Sequence, residues 1–232
     1  SKLFHKYHLI AIPVVDTENC MVGIVTFDDA MEVYEDEMNE DISLMAAVQP
    51  SDDSYFETSV FNHAKHRILW LLVLMLSATI TGTILSSYEK MIASVPLLVS
   101  FIPMLMDTGG NCGTQSSTLV IRGIATDEIQ FRDLFRVAFK EAQVSLLVGL
   151  ALAVVNGIRI LLMYQDPMLA LLLGITLMAT VFMAELIGCV LPLLAKKVHL
   201  DPAIMAAPLI TTIVDTFSIM IYFGVATMLL GL

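Results

Sequence analysis

Basic residues are scarce: 12 Lys and Arg stand against 23 Asp and Glu, a formal net charge of −11. So few cations cannot build the basic face that nucleic acid requires, and no nucleic-acid partner is expected. Cysteine is scarcer still. Cys20, Cys112 and Cys189 are far apart, with no Cys-x-x-Cys pair, which removes a disulfide framework and a thiolate zinc cluster. Charged residues of both signs make up only 15% of the 232 residues, against about 25% in soluble domains. Apolar residues reach 57% and mean hydropathy is +0.80. An ordinary soluble protein is excluded.

The charge that is present is unevenly placed. Residues 1–67 carry 13 acids and 4 bases (Lys2, Lys6, Lys65, Arg67), while residues 68–232 carry 10 acids and 8 bases. A boundary near His66-Arg67 therefore divides an acidic, water-facing piece from an apolar one. The opening residues lack the apolar core of a secretory signal. Their abrupt strand-like pattern implies that a preceding part of a larger protein is absent.

Residues 68–85 form an uncharged run of 18, long enough for a membrane helix. Runs at 142–164, 168–195 and 203–232 follow, and residues 91–122 form a further segment interrupted by polar residues from Asp107 to Ser117. Five spans put Lys65, Arg67, Arg122, Arg132, Arg136, Lys140, Lys196 and Lys197 on one side and only Lys90 and Arg159 on the other. That asymmetry predicts an N-terminal side in the cytoplasm and a C-terminus outside. Asp166-Pro167 and Asp201-Pro202 read as a cap followed by proline at the first helical position, opening the fourth and fifth spans. Counting from Asp201 puts Asp215 roughly 21 Å along the fifth span, near mid-membrane.

Before the first span, residues 9–15 and 21–27 read as two strands around the turn Asp16-Thr-Glu-Asn19, and Asp28-Asp29 read as the cap of a helix starting near Ala30. The Pro13-Val-Val-Asp and Gly23-Ile-Val-Thr26 elements resemble the second half of a CBS domain, a regulatory unit that works in pairs. That resemblance implies a nucleotide such as ATP touching Thr26 and Asp29. From Asp28 onward come eight acids without a base: Asp28, Asp29, Glu32, Glu35, Asp36, Glu37, Glu40 and Asp41. Like charges three and four apart repel on a helix. A divalent cation with oxygen ligands would relieve them, and these eight are the candidate ligands of a cytoplasmic sensor.

Asp107, Glu185 and Asp215 fall inside spans, where an acid costs about 3 kcal/mol on insertion scales and marks a functional site. Gly109, Gly110 and Asn111 lie at the depth of Asp215. Their exposed backbone, with the neutral oxygens of Asn111, Thr114, Gln115, Ser116 and Ser117, suits a hard cation that keeps its water. Asp107-Thr-Gly also spells the triplet of aspartic proteases, and Asp215 with Glu185 suggests a proton- or sodium-coupled carrier. The protease reading is disfavoured because the second acid stands in Asp-Thr-Phe. The carrier reading is disfavoured because five spans show no internal repeat.

The element Pro103-Met-Leu-Met-Asp-Thr-Gly-Gly-Asn-Cys-Gly-Thr-Gln-Ser-Ser-Thr-Leu-Val-Ile-Arg-Gly123, with Asp201-Pro202-Ala203 and Pro208-x2-Thr211-Thr212-x2-Asp215, resembles the MgtE family of magnesium channels. The resemblance covers the whole chain. It implies an all-α polytopic protein of the inner membrane with five transmembrane helices, preceded by a partial β-α CBS module and an acidic connecting helix. The division is 1–38 for the module, 39–66 for the linker and connecting (plug-type) helix, and 67–232 for the pore domain. It implies a homodimer in the lipid bilayer, no enzyme, with Mg²⁺ as substrate and regulator. Asp215 and the Thr211 backbone hold the ion. Asp107, Gly109, Gly110, Asn111, Gln115, Pro208 and Thr212 line the pore. Mg²⁺ between the module and the connecting helix closes it.

Overall fold

Asp16 ends the first strand with a carboxylate that accepts from the amides of Glu18 (2.9 Å) and Cys20 (2.9 Å), and Asn19 takes a left-handed φ of 61°. This tight turn joins β1 (Ala11–Val15) to β2 (Met21–Thr26), an antiparallel pair with Ala11 opposite Thr26 and a bulge at Val14/Val15. The computed structural model describes residues 2–51, 54–205 and 207–231. A short helix α1 (Lys2–Tyr7) precedes the hairpin, and α2 (Phe27–Met45) follows it directly.

The start of α2 differs from the sequence expectation. Thr26, not Asp28-Asp29, is the N-cap, and Asp29 closes a capping box on it. The Thr26 amide and hydroxyl both donate to Asp29 Oδ2, at 2.9 and 2.6 Å. A threonine hydroxyl can meet the third amide of the helix while the acid three positions on reaches back, a reciprocity unavailable to adjacent aspartates. The helix then runs unbroken through residue 38.

After a linker, Ser59 caps α3 (Val60–Ser87). The linker folds back on this helix: the Gln49 amide donates to the His66 carbonyl (3.0 Å), and the Tyr55 and His63 rings lie 4.9 Å apart. Residues 91–122 are not one continuous segment. They divide among α4 (Glu89–Ser94), a 3-10 turn at Pro96–Phe101 and α5 (Ile102–Ala125). Pro96 and Pro103 each sit in the first turn of a new element, where the missing amide costs nothing.

The remaining helices are α6 (Leu134–Tyr164), α7 (Pro167–Lys197) and α8 (Ala207–Leu230). Asp166 caps α7 as its sequence predicts, accepting from the amides of Met168 (2.9 Å) and Leu169 (3.1 Å). Asp201-Pro202 does not open α8. Asp201 caps a 3-10 turn at Pro202–Met205 through the Ala203 amide (2.8 Å), and α8 begins at Ala207. Asp215 is therefore eight residues into α8, about 12 Å along it, not 21 Å.

Among the described residues, four helical stretches are long and apolar enough to cross a membrane: Val60–Ser87, Phe131–Tyr164, Pro167–Lys197 and Pro202–Leu230. The 24 residues of α5 would reach about 36 Å, but its polar residues keep it below that apolar standard, so four of the five expected spans meet it. α5 instead packs inside the bundle against α7 and α8, with α6 on the other side of α7. The core has a large patch at one end, where Leu98, Phe101, Leu105, Leu172, Tyr222 and Phe223 meet. The Tyr222 hydroxyl donates there to the Leu98 carbonyl (2.9 Å). α3 is bare along most of its length, touching α8 chiefly, as expected of a helix solvated by lipid.

Candidate cation recess

Two helices supply a polar recess in this apolar bundle. From α5 come Met106, Asp107, Gly110 and Asn111, and from α8 come Thr211 and Asp215, around a space of about 190 Å³. The spacing explains the set. Asp107 and Asn111 are four apart, as are Thr211 and Asp215, so each pair stands one above the other on its helix. Gly110 lets the helices close: a Cβ there would lie 3.0 Å from Thr211 Cγ2. A side chain at Gly110 would therefore have to push Thr211 away or fill the recess.

The hydroxyls of Thr211 and Thr212 turn back to the Pro208 carbonyl, at 3.1 and 2.9 Å. What α8 presents to the recess is thus mainly the Asp215 carboxylate. Asp107 stands within electrostatic reach of it. Asp107 and Asn111 are exposed on the single chain and Asp215 is half-buried. Two acids and an amide on one open face can bind a hard cation through water.

Of the residues expected to line a pore, Asp107, Gly110 and Asn111 meet here, together with Thr211 and Asp215, the two expected to hold the ion. Gly109, Gln115, Pro208 and Thr212 do not line the recess. Gly109 is turned aside, its missing Cβ directed at Thr180, Val214 and Ser218, because adjacent helical residues point about 100° apart. Gln115 is exposed one turn further along the face of Asp107 and Asn111. Met106 is a lining residue that the sequence did not single out, since a methionine in an apolar run gives no signal.

The eight acids of residues 28–41 all lie on α2, and seven are exposed. No three His, Cys, Asp or Glu side chains are gathered as a metal site among the described residues. The expected ligand cluster is therefore a row along one helix and not a closed site. Thr26 and Asp29 are engaged with each other in the capping box, and those hydrogen bonds hold the Asp29 carboxyl below the usual carboxylate range. Asp41 differs from the others. The end of α2 packs against the Pro202–Met205 turn. Burial and the charges of Asp201, Glu37 and Glu40 push the Asp41 carboxyl above its ordinary value. Asp201 is a candidate missed at first, because its role as a cap was sufficient reason for an aspartate before proline.

The bundle and its recess define a multi-pass helical membrane protein with a polar, acidic recess between two of its helices. Residues 102–225, which hold both helices, match the MgtE family, described as divalent cation transporters. The chain belongs to the MgtE family. It is 39% identical over 232 residues to a magnesium transporter MgtE of Thermus thermophilus, covering 99% of this chain and 51% of that protein. Identity is 35% over 227 residues to the magnesium transporter MgtE of Bacillus subtilis (98% and 50%). It is 31% over 232 residues to that of Enterococcus faecalis (98% and 50%). The chain spans about half the length of these curated relatives.

Proposed function

We propose that this chain is the membrane part of a Mg²⁺ channel, with the end of its cytoplasmic regulator attached, and that α5 and α8 of two copies line the pore. One observation carries the reading: Asp107, Asn111 and Asp215 share an open recess on a bundle otherwise solvated by lipid. Exposed acids cannot face hydrocarbon at the cost given above. A second copy about a two-fold axis would enclose them in a water-filled path. Within that path α5 serves as the second of five spans, its polar face turned from lipid.

The size of the recess favours a hydrated ion. Its volume of about 190 Å³ leaves room for several waters beside the carboxylates. Mg²⁺ sheds its octahedral shell reluctantly, so carboxylates that bind through water suit it better than a tight cage. Paired Asp215 side chains would bind the ion's shell, with Asp107 and Asn111 beside them. A membrane potential of 100 mV would favour inward movement by about 2.3 kcal/mol per charge. The distribution of basic residues supports an orientation with the N-terminal side in the cytoplasm and the end of α8 outside, in the inner membrane.

Regulation follows from the other acidic junction. Asp41 on α2 and Asp201 on the turn before α8 repel. Cytoplasmic Mg²⁺ bridging them would tie the acidic helix to the root of a pore helix and hold the pore shut. Residues 1–38 then act as the end of a CBS module, 39–66 as the connecting segment, and 67–232 as the pore domain. The test is Mg²⁺ uptake by the full-length protein in liposomes at varied internal Mg²⁺. Uptake that falls as internal Mg²⁺ rises supports the reading. Uptake that requires a proton or sodium gradient contradicts the channel.

A further inference from the structure

Glu185 takes no part in the recess, yet it is the most anomalous acid in the bundle. It lies on α7, 12 residues from Lys197 and 18 from Pro167, so about 18 Å from the nearer end of the helix. Only 5% of its surface is exposed. Its Oε2 is buried with no hydrogen-bond partner among the described residues.

The groups acting on it are all of the wrong kind for a carboxylate. Glu141 of α6 is the charged side chain that bears on it, while Cys112 of α5 and Cys189 of α7 are the thiols within its reach. Among the described residues, Glu141 is the one charged group that acts on it. An isolated buried charge is far costlier than a neutral polar group, and such a group gives up its charge instead.

The surroundings give that proton a consequence. The Ser116 hydroxyl of α5 donates to the Glu185 carbonyl (3.0 Å). One turn on, α5 and α7 touch backbone to backbone: a Cβ on Gly188 would collide with the Gly113 carbonyl oxygen. Glu185 therefore flanks a seam where two helices meet with little between their backbones. The same helix α5 carries Asp107, Gly110 and Asn111 of the recess.

We propose that Glu185 is a proton-binding site, occupied when the α5–α7 seam is closed, and that release of its proton loosens the seam and shifts the recess face of α5. On release the carboxyl O–H bond breaks, the proton passes to water entering the seam, and a carboxylate remains beside Glu141. The ligand is the proton itself, and the site is separate from the metal-binding face.

Infrared spectra of the full-length protein in lipid, wild type and Glu185→Gln, test the site directly. The wild type is expected to show the C=O stretch of a protonated carboxylic acid that Glu185→Gln lacks and Glu141→Gln keeps. That band should fade in the wild type as pH is raised. Mg²⁺ uptake should change in step, by about tenfold per pH unit once past the midpoint, and stay flat in Glu185→Gln. A wild type with no such band at any pH, or a Glu185→Gln protein whose uptake follows the wild-type pH profile, overturns the proposal. Should Glu185→Gln fail to fold, the deuterium shift and pH titration of the wild-type band, compared with Glu141→Gln, decide the site. The uptake arm rests on the transport reading. A wild type that moves no Mg²⁺ at any pH contradicts that reading, and the infrared band alone then decides the proton site.

Discussion

Thr81 of α3 and Thr216 of α8 share a hydrogen bond of 2.7 Å, one residue from Asp215. It is the polar tie between a helix otherwise bathed in lipid and the helix that carries the candidate ion ligand. Thr216 also donates to its own helix at Thr212 (3.1 Å), so Thr81 is the side chain free to donate across. α3 is continuous from its Ser59 cap to Ser87, and movement of the linker at its start can reach Thr216 without an intervening hinge. A double-mutant cycle of Thr81→Val and Thr216→Val should give a coupling of about 0.6 kcal/mol, typical of interhelical hydrogen bonds in membranes. Thermal unfolding in lipid measures it, and Thr81→Val should alter flux regulation more than stability.

The junction of Asp41 and Asp201 should respond to pH with a definite sign. Asp41 has a raised pKa in the docked state, so that state binds more protons than the undocked one. Docking of α2 therefore strengthens as pH falls toward the ordinary carboxylate range and weakens as pH rises through the raised value. At low Mg²⁺, hydrogen exchange across residues 37–45 should slow as pH is lowered, after correction for intrinsic rates. Asp41→Asn should remove that trend.

The same junction should depend on divalent metal. Mg²⁺ is expected to protect α2 and the Pro202–Met205 turn from exchange in the wild type. Asp201→Asn retains a capping oxygen for the Ala203 amide but loses a charge, so it should keep its fold and lose most of that protection. Unchanged protection would place the metal elsewhere on the acidic helix.

Gly110 should tolerate no enlargement. The Cβ of Gly110→Ala meets Thr211 at 3.0 Å, a contact that requires a shift of a few tenths of an ångström. Over-packing of this kind costs about 1–3 kcal/mol. Gly110→Ala should reduce uptake several-fold with the protein still folded, and Gly110→Leu should abolish uptake. Gly23, with open space around it, is the control position.

How much could be read in advance depended on how local each feature was. The 107/111 and 211/215 pairs are set by helical spacing, so the recess was legible once both segments were taken as helices. The start of α2 was not. Three candidates for the cap (Thr26, Asp28 and Asp29) stand within four residues, and only the backbone conformation at Thr26 chooses among them. The Asp201-Pro202 pair suits a 3-10 turn as well as an α-helix, and that ambiguity misplaced Asp215 by between one and two turns. Gly109 and Gly110 are identical in sequence terms. Which one meets the recess depends on helix rotation, set by distant contacts with Thr180 and Val214. The approach of Asp41 to Asp201 joins residues far apart in the chain, and no local pattern announces it.

The most direct test of the central claim is the concentration dependence of Mg²⁺ uptake by full-length protein in liposomes, wild type against Asp215→Asn. Loss of one charge-assisted contact of about 1.5–3 kcal/mol in each copy should lower uptake at limiting Mg²⁺ by about tenfold or more. Asp29→Asn, remote from the recess, should leave it unchanged. An Asp215→Asn protein with wild-type uptake and wild-type concentration dependence would contradict an ion path through this recess.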